Sequence, residues 1–282
     1  MQRESSVAAG RGLWLTLITW SVIAFLYLPI IILVIYSFNH SRFGVSWDHF
    51  SLRWYKVLFS DRSLWAAVSN SLIIATASST VSTVLGTLAA LYLDRRSTRI
   101  RHFMHGLLYL PMIIPDIVIA VSMLMFFVFI HFSLGLLSVT VAHITFSLSY
   151  VTLVVLTRLA SMNRHLEEAS MDLGATPVQT FFRVTLPSIY PAVLAGFLLA
   201  FMMSIDDFIV TFFTSGVGST TLPLKIYSMI KFSVTPEINA ISTILLLFTV
   251  FILILVQTLL SRGRQRNNLE STVDINPKEG LL

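Results

Sequence analysis

The chain contains no cysteine, which excludes disulfides, thiolate metal sites and a cysteine nucleophile. Charge is scarce too. Asp, Glu, Lys and Arg make up 12% of the 282 residues, against roughly 25% in an ordinary soluble domain. Lysine is limited to Lys56, Lys225, Lys231 and Lys278, and none of them is followed by Ser or Thr. A phosphate loop needs glycines, a Lys and a hydroxyl converging on phosphate and magnesium, so the chain cannot hydrolyse ATP by that route. Gly216-Val217-Gly218 is too weak a pattern to replace it. The Gly-x-Gly-Asp pattern of intramembrane aspartyl proteases is missing around Asp116 and Asp206. The net charge of +5 has no soluble basic face to act through, so nucleic acid is not a partner. No cofactor or metal is expected.

What remains is hydrophobic. Apolar residues reach 55% and the mean hydropathy is +0.81, so lipid is the solvent. A span needs about 20 apolar residues, and six runs qualify: 13–38, 66–93, 103–132, 136–156, 187–213 and 238–260. The first follows Arg3 and Arg11, but it outruns a signal-peptide core of about 7–15 residues and reads as a retained helix. The second is rich in Ser, Thr and Ala, which allow close helix approach in lipid. Phe126, Phe127 and Phe129 in the third read as lipid-facing bulk. The fold class is therefore an all-α integral membrane protein. It has an N-terminal segment 1–12, a six-helix domain 13–260 and a disordered tail 261–282.

Orientation follows the Lys/Arg count. Arg3, Arg11, the cluster Arg95, Arg96, Arg99 and Arg101, then Arg158, Arg164, Arg183 and the tail residues Arg262, Arg264, Arg266 and Lys278 fall on one side. Arg42, Arg53, Lys56, Arg62, Lys225 and Lys231 fall on the other. The bias puts both termini in the cytoplasm. The outer loops 39–65 and 214–237 are long enough to dock a protein, and Trp47, Trp54, Tyr55 and Trp65 fit an interfacial aromatic belt.

A polar insert, about 158–186, separates the fourth and fifth spans on the cytoplasmic side. Leu166, Ala169 and Leu173 share one helical face, while Glu167, Glu168 and Asp172 lie mainly on another. Gly174 is placed to stop that helix in the left-handed conformation. Thr176 and Pro177 then cap and start a second short helix, and Leu186-Pro187 re-enters the membrane. Two short helices joined by a glycine turn make a rigid knob. The acidic residues argue against a helix lying on an anionic lipid surface, where basic residues are preferred.

Asp116, Asp206 and Asp207 fall inside spans, and no Lys or Arg does. A carboxylate at mid-bilayer costs at least a few kcal/mol and usually faces a wet path or a partner charge. Their company favours a cationic solute, or protonated carboxyls, over an internal ion pair. Pro111 and Pro115 free helical carbonyls, which is tolerated along a cavity. Adjacent Asp206 and Asp207 point about 100° apart on a helix: one faces the path, and the other packs against a neighbouring subunit or a helix end. Which is which stays open. His143, inside the fourth span, has no second ligand at helical spacing and reads as a packing or hydrogen-bonding residue.

The insert resembles the coupling loop of permease subunits in bacterial ABC importers, the EAA…G…I-LP motif. Glu168-Ala169-Ser170, Gly174, Val184 and Leu186-Pro187 keep its spacing, with Ser170 in place of Ala and Val184 in place of Ile. The likeness extends through Leu28-Pro29-Ile30, Ser41-Arg42-Phe43-Gly44, Trp54-Tyr55, Pro115-Asp116-Ile117-Val118, Asp206-Asp207 and Leu222-Pro223-Leu224-Lys225. These look like the spermidine/putrescine branch, and within it the second permease subunit. The resemblance implies the type I importer permease fold and a heterodimer with a sister permease. It also implies an ATP-binding subunit dimer whose groove receives the loop, a periplasmic polyamine-binding protein and a polyamine substrate in the bacterial inner membrane. Glu168, Ala169, Asp172, Gly174, Leu186 and Pro187 would couple to the ATPase, and the three aspartates would line the substrate path. Related branches carry iron, phosphonates or opines. A proton-coupled carrier would usually show inverted repeats, and an ion channel a filter loop; neither is found.

Overall fold

The computed structural model describes residues 2–41, 46–95, 98–232 and 236–273. Arg42, Phe43, Gly44, Arg96 and Lys278 lie outside them. Residues 1–62 with 226–248 form one compact unit, and 63–225 with 249–282 form another.

In the first unit, α1 (Gln2–Tyr36) carries an apolar stretch, Trp14–Tyr36, that is exposed except at Leu33, Val34 and Tyr36, which are half-buried. The loop after it folds on Asn39, which is buried. The Asn39 side chain donates to the Ser46 carbonyl at 2.7 Å and accepts from the Asp48 N–H at 3.0 Å. In α2 (Arg53–Ser60), Trp54 and Leu58 turn inward one helical turn apart. The Trp54 indole donates to the Asn39 carbonyl at 2.8 Å, and the Tyr55 hydroxyl bonds Ser37 at 2.8 Å. Trp54 and Tyr55 therefore pin this loop rather than form the aromatic belt the composition suggests. Trp47 and Trp65 stay exposed.

The second unit is built on small residues. Along α3 (Arg62–Asp94), Ser71, Ala75, Ser78, Ser82, Gly86 and Ala90 face inward at helical spacing. α6 (Leu136–Ala160) and α9 (Leu186–Asp206) pack on the same side. Val151 of α6 sits between Gly86 and Gly196. A Cβ on Gly86 would lie 2.9 Å from the Val151 side chain, and one on Gly196 would lie 3.2 Å from it. Such close approach is how helices associate in lipid, where burying apolar surface supplies no drive.

The third expected span is broken. α4 (Thr98–Ile113) and α5 (Asp116–Phe129) meet at a 103° bend around Pro115. The helical region is disfavoured for residue 114 because it precedes a proline, and Pro115 offers no N–H to continue the ladder. Among the described residues, counting this pair as one, six spans are long and apolar enough to cross a membrane; without it there are five. Phe127 is not lipid-facing. It is 2% exposed and packs with Ala120, Ala142, Phe146 and Val210, whereas Phe126 and Phe129 are exposed.

The fifth span also ends earlier than its apolar run. After α9 the chain opens at Asp207 and resumes as the short α10 (Ile209–Thr214). Beyond it, the 218–222 segment is tied back to α3. Asn70 donates to the Gly218 and Thr220 carbonyls at 3.0 Å, and Ser71 accepts from the Leu222 N–H at 2.8 Å. α11 (Leu222–Phe232) and α12 (Glu237–Val273) complete the described chain. The segment from 261, expected to be irregular, is helical as far as Val273, and α1 already begins at Gln2. Extending an existing helix costs far less than starting one, and the Arg, Gln, Leu and Glu residues there are good helix formers.

Candidate substrate path and coupling loop

Asp116 and the adjacent pair Asp206 and Asp207, far from it in sequence, line one cavity of about 480 Å³. The two helix breaks bring them there. Pro115 puts Asp116 in the first turn of α5, and the opening after α9 leaves Asp206 and Asp207 at the junction with α10. Tyr150, Phe146 and Phe208 supply aromatic wall, with Met203 and Ile209 beside them.

The two adjacent aspartates have different surroundings. Asp206 is exposed to the cavity. The Asp207 carboxylate is mostly covered and surrounded by donors. It accepts from the Val210 N–H at 3.3 Å, from the Thr211 N–H at 2.8 Å and from the Thr211 hydroxyl at 2.8 Å. His143 Nε2 lies 3.3 Å from its Oδ2. Asp207 is thus bound to a helix start, one of the two alternatives its sequence position allows. An internal partner exists after all, in the form of a histidine rather than a Lys or Arg.

His143 is fully buried and bonds on both sides of its ring, as a hydrogen-bonding residue would. Nδ1 meets Ser204 Oγ at 2.7 Å and Nε2 meets Thr211 Oγ1 at 3.1 Å. Ser78 of α3 donates to Ser204 at 3.1 Å. A chain of buried polar contacts thereby joins α3, α9, α6 and α10.

The insert folds as its local signals require. α7 (His165–Asp172) is followed by Gly174 at φ 88°, and the Ala175 N–H reaches back to the Ser170 carbonyl at 3.1 Å. A side chain at 174 would meet no neighbour within 4 Å, so backbone conformation alone demands glycine there. Thr176 caps α8 (Pro177–Thr180) in a reciprocal box with Gln179, at 3.0 and 3.3 Å. A π-helical turn, Phe181–Thr185, then leads into α9. Pro187 explains that widening, because its ring crowds the carbonyl four residues back. Ala169, Asp172 and Gly174 are exposed, as are Glu168 and Pro187, while Leu186 is half-buried. Leu173, at the tip, is 90% exposed.

Residues that the spacing does not single out hold this knob in place. The Glu167 carboxylate accepts from the buried Thr185 hydroxyl and lies 3.9 Å from Arg95. Arg164 bonds both Asp94 carboxylate oxygens at 2.9 and 3.0 Å. Arg158 donates to the Ser188 carbonyl at 3.0 Å, and Ser170 meets Thr180 at 3.2 Å.

Residues 82–266 match the family described as "Binding-protein-dependent transport system inner membrane component". The chain is a member of that family. The permease is 41% identical over 248 residues to the spermidine/putrescine transport system permease protein PotC of Escherichia coli K12, covering 88% of this chain and 94% of that one. It is also 41% identical over 246 residues to the putrescine transport system permease protein PotI of the same organism, covering 84% and 86%. Among solved structures, the permease aligns with a bacterial ABC transporter that imports alginate. The TM-score is 0.68 at 15% identity, with coverage of 88% of this chain and 95% of that one. A second alginate transporter structure, bound to its periplasmic protein, gives a TM-score of 0.64 at 20% identity, covering 90% and 93%. The permease therefore has the ABC importer permease fold.

Of the residues gathered at the cavity and the insert, Tyr150, Phe208, His143 and Glu167 are not marked as members of a candidate site by the sequence. Only the His143 position, a polar ring inside a span, carried a readable signal.

Proposed function

We propose that this chain is a permease subunit of an ATP-driven polyamine importer. It forms the translocation path with a sister permease in the bacterial inner membrane, both termini in the cytoplasm. A separate ATP-binding subunit dimer supplies the energy, and a periplasmic polyamine-binding protein delivers the solute to the outer loops. The observation that carries this reading is the cavity holding Asp116, Asp206 and Asp207 with aromatic wall and no Lys or Arg among its lining residues. Carboxylates accept ammonium groups through charge-assisted hydrogen bonds, and aromatic faces attract cations and cover methylene stems. The likeness to PotC and PotI points to the same substrate class.

On this reading the knob is the mechanical input. Leu173, with Leu166 and Val178 also exposed, offers apolar surface for the ATPase, and Glu168, Ala169, Asp172 and Gly174 shape it. Leu186 and Pro187 pass its displacement into α9, whose far end carries Asp206.

The test is uptake of labelled putrescine and spermidine by cells lacking their own polyamine importers and expressing this chain with its co-encoded partners. Saturable, ATP-dependent uptake that persists when the proton gradient is collapsed, and that is lost in Gly174→Pro, is the expected result. An assembled complex that hydrolyses ATP but imports neither amine would overturn the substrate class.

A further inference from the structure

The family and the cavity account for the acidic residues but not for the fully buried imidazole behind them. His143 is 0% exposed and lies where α6 meets both helices that form the α9–α10 break. One arrangement of protons satisfies all of its contacts. The Thr211 hydroxyl donates to Asp207, so its oxygen is left to accept from His143 Nε2–H, which also faces Asp207 Oδ2 at 3.3 Å. Nδ1 then accepts from Ser204, whose oxygen accepts from Ser78. The donors then run in one direction, Ser78 to Ser204 to His143 to Asp207.

Asp207 thereby has its acceptor sites occupied by His143, the Thr211 hydroxyl and the first N–H groups of α10. Asp206, next to it, has none of these partners among the described contacts and is exposed to the cavity. The break itself has lost helical hydrogen bonds at a point where stray backbone groups are costly, so what fixes its geometry is this side-chain cluster. We propose that His143 is a positioning residue for solute binding: by holding Asp207 to the start of α10, it sets the α9–α10 break so that Asp206 presents its carboxylate to the cavity. His143 touches no solute. It acts through Asp207, and its effect is on affinity rather than on the driven step. The proposal rests on the polyamine reading for its solute.

The test compares wild type with His143→Leu, which keeps bulk without hydrogen bonds, and His143→Gln, whose amide can donate to Asp207 and accept from Ser204. Two readouts are taken on the complex assembled with its partners. The first is polyamine uptake, separated into KM and a maximal rate per assembled complex. The second needs no polyamine. Because the chain has no cysteine, Ile209→Cys adds a thiol unique in this subunit at the cavity wall, and its rate of labelling by a cationic thiol reagent reports how the break is held. In His143→Leu, KM should rise about five-fold or more with the maximal rate within about two-fold, and labelling of the introduced thiol should quicken. His143→Gln should restore both. An unchanged KM with a lowered maximal rate, an unchanged labelling rate, or a Gln variant as impaired as Leu would each overturn the proposal. If His143→Leu fails to assemble, Thr211→Val carries the test, because it removes the hydroxyl shared by His143 and Asp207. The same changes in smaller measure then support the proposal, and no change in either readout overturns it. Absence of polyamine uptake in the wild type would sink the substrate reading alone, and the labelling comparison would still decide the role of His143.

Discussion

At the scale of single residues, three aspartates that look alike in the sequence do different work. Asp116→Asn and Asp206→Asn remove charge from a cavity wall and should leave assembly intact. Loss of a charge-assisted contact of roughly 1.5–3 kcal/mol corresponds to a rise in KM on the order of ten-fold or more, measured as amine uptake. Asp207→Asn should instead lower the amount of assembled subunit, read by membrane abundance, because the amide keeps one acceptor oxygen where the carboxylate offers two to His143, Val210 and Thr211. Gly174→Ala places a Cβ at φ 88° and should cost about 1–2 kcal/mol at the turn. Measured together, ATP hydrolysis should persist while uptake per ATP falls. The sequence showed which residues were acidic and intramembrane, and it narrowed Asp207 to two settings. It could not show the pairing with His143, because residues 143 and 207 are joined by the packing of α6 against α9 and α10.

At the scale of elements, the close packing at Val151 makes a sharp prediction. Gly86→Ala puts a methyl 2.9 Å from Val151 and 3.2 Å from the Thr152 amide nitrogen, so overpacking should cost about 1–3 kcal/mol. Gly196→Ala, with its contact at 3.2 Å, should cost less. Thermal unfolding of the purified complex in detergent would rank them. The knob offers a second test. Glu167→Gln keeps an acceptor for Thr185, whereas Glu167→Ala does not. Limited proteolysis should therefore cleave the insert faster in the Ala variant and leave Gln near wild type. Helix existence was legible throughout, because long apolar runs and cap residues such as Thr176 and Pro177 are local signals. The breaks were less so. Pro115 marked a weak point, but an angle of 103° is set by what α5 packs on, namely Ala142, Phe146 and Val210. The π turn before Leu186 is a case between the two: Pro187 in the motif marks where the ladder must give, but not that it gives as a π turn over Phe181–Thr185.

At the scale of the whole molecule, the charge bias predicts which side of the membrane each loop faces, and labelling can check it. Val217→Cys, at a fully exposed loop position, should react with an impermeant thiol reagent in intact cells. Leu173→Cys should react only after the membrane is opened. Reversed labelling would contradict the orientation drawn from the arginines. The helix ends in the cavity have a further effect on transport. Asp116 occupies the first turn of α5, and Asp207 bonds the leading N–H groups of α10. The start of a helix carries roughly half a positive charge, so two of the three acids are already partly offset before any amine arrives. If this wall lines the proposed path, a polycation there meets an attraction weakened by the helix starts, a compromise between admitting it and retaining it. Passage needs that compromise: a bare triad of carboxylates would turn the route into a trap, and turnover would then be limited by escape.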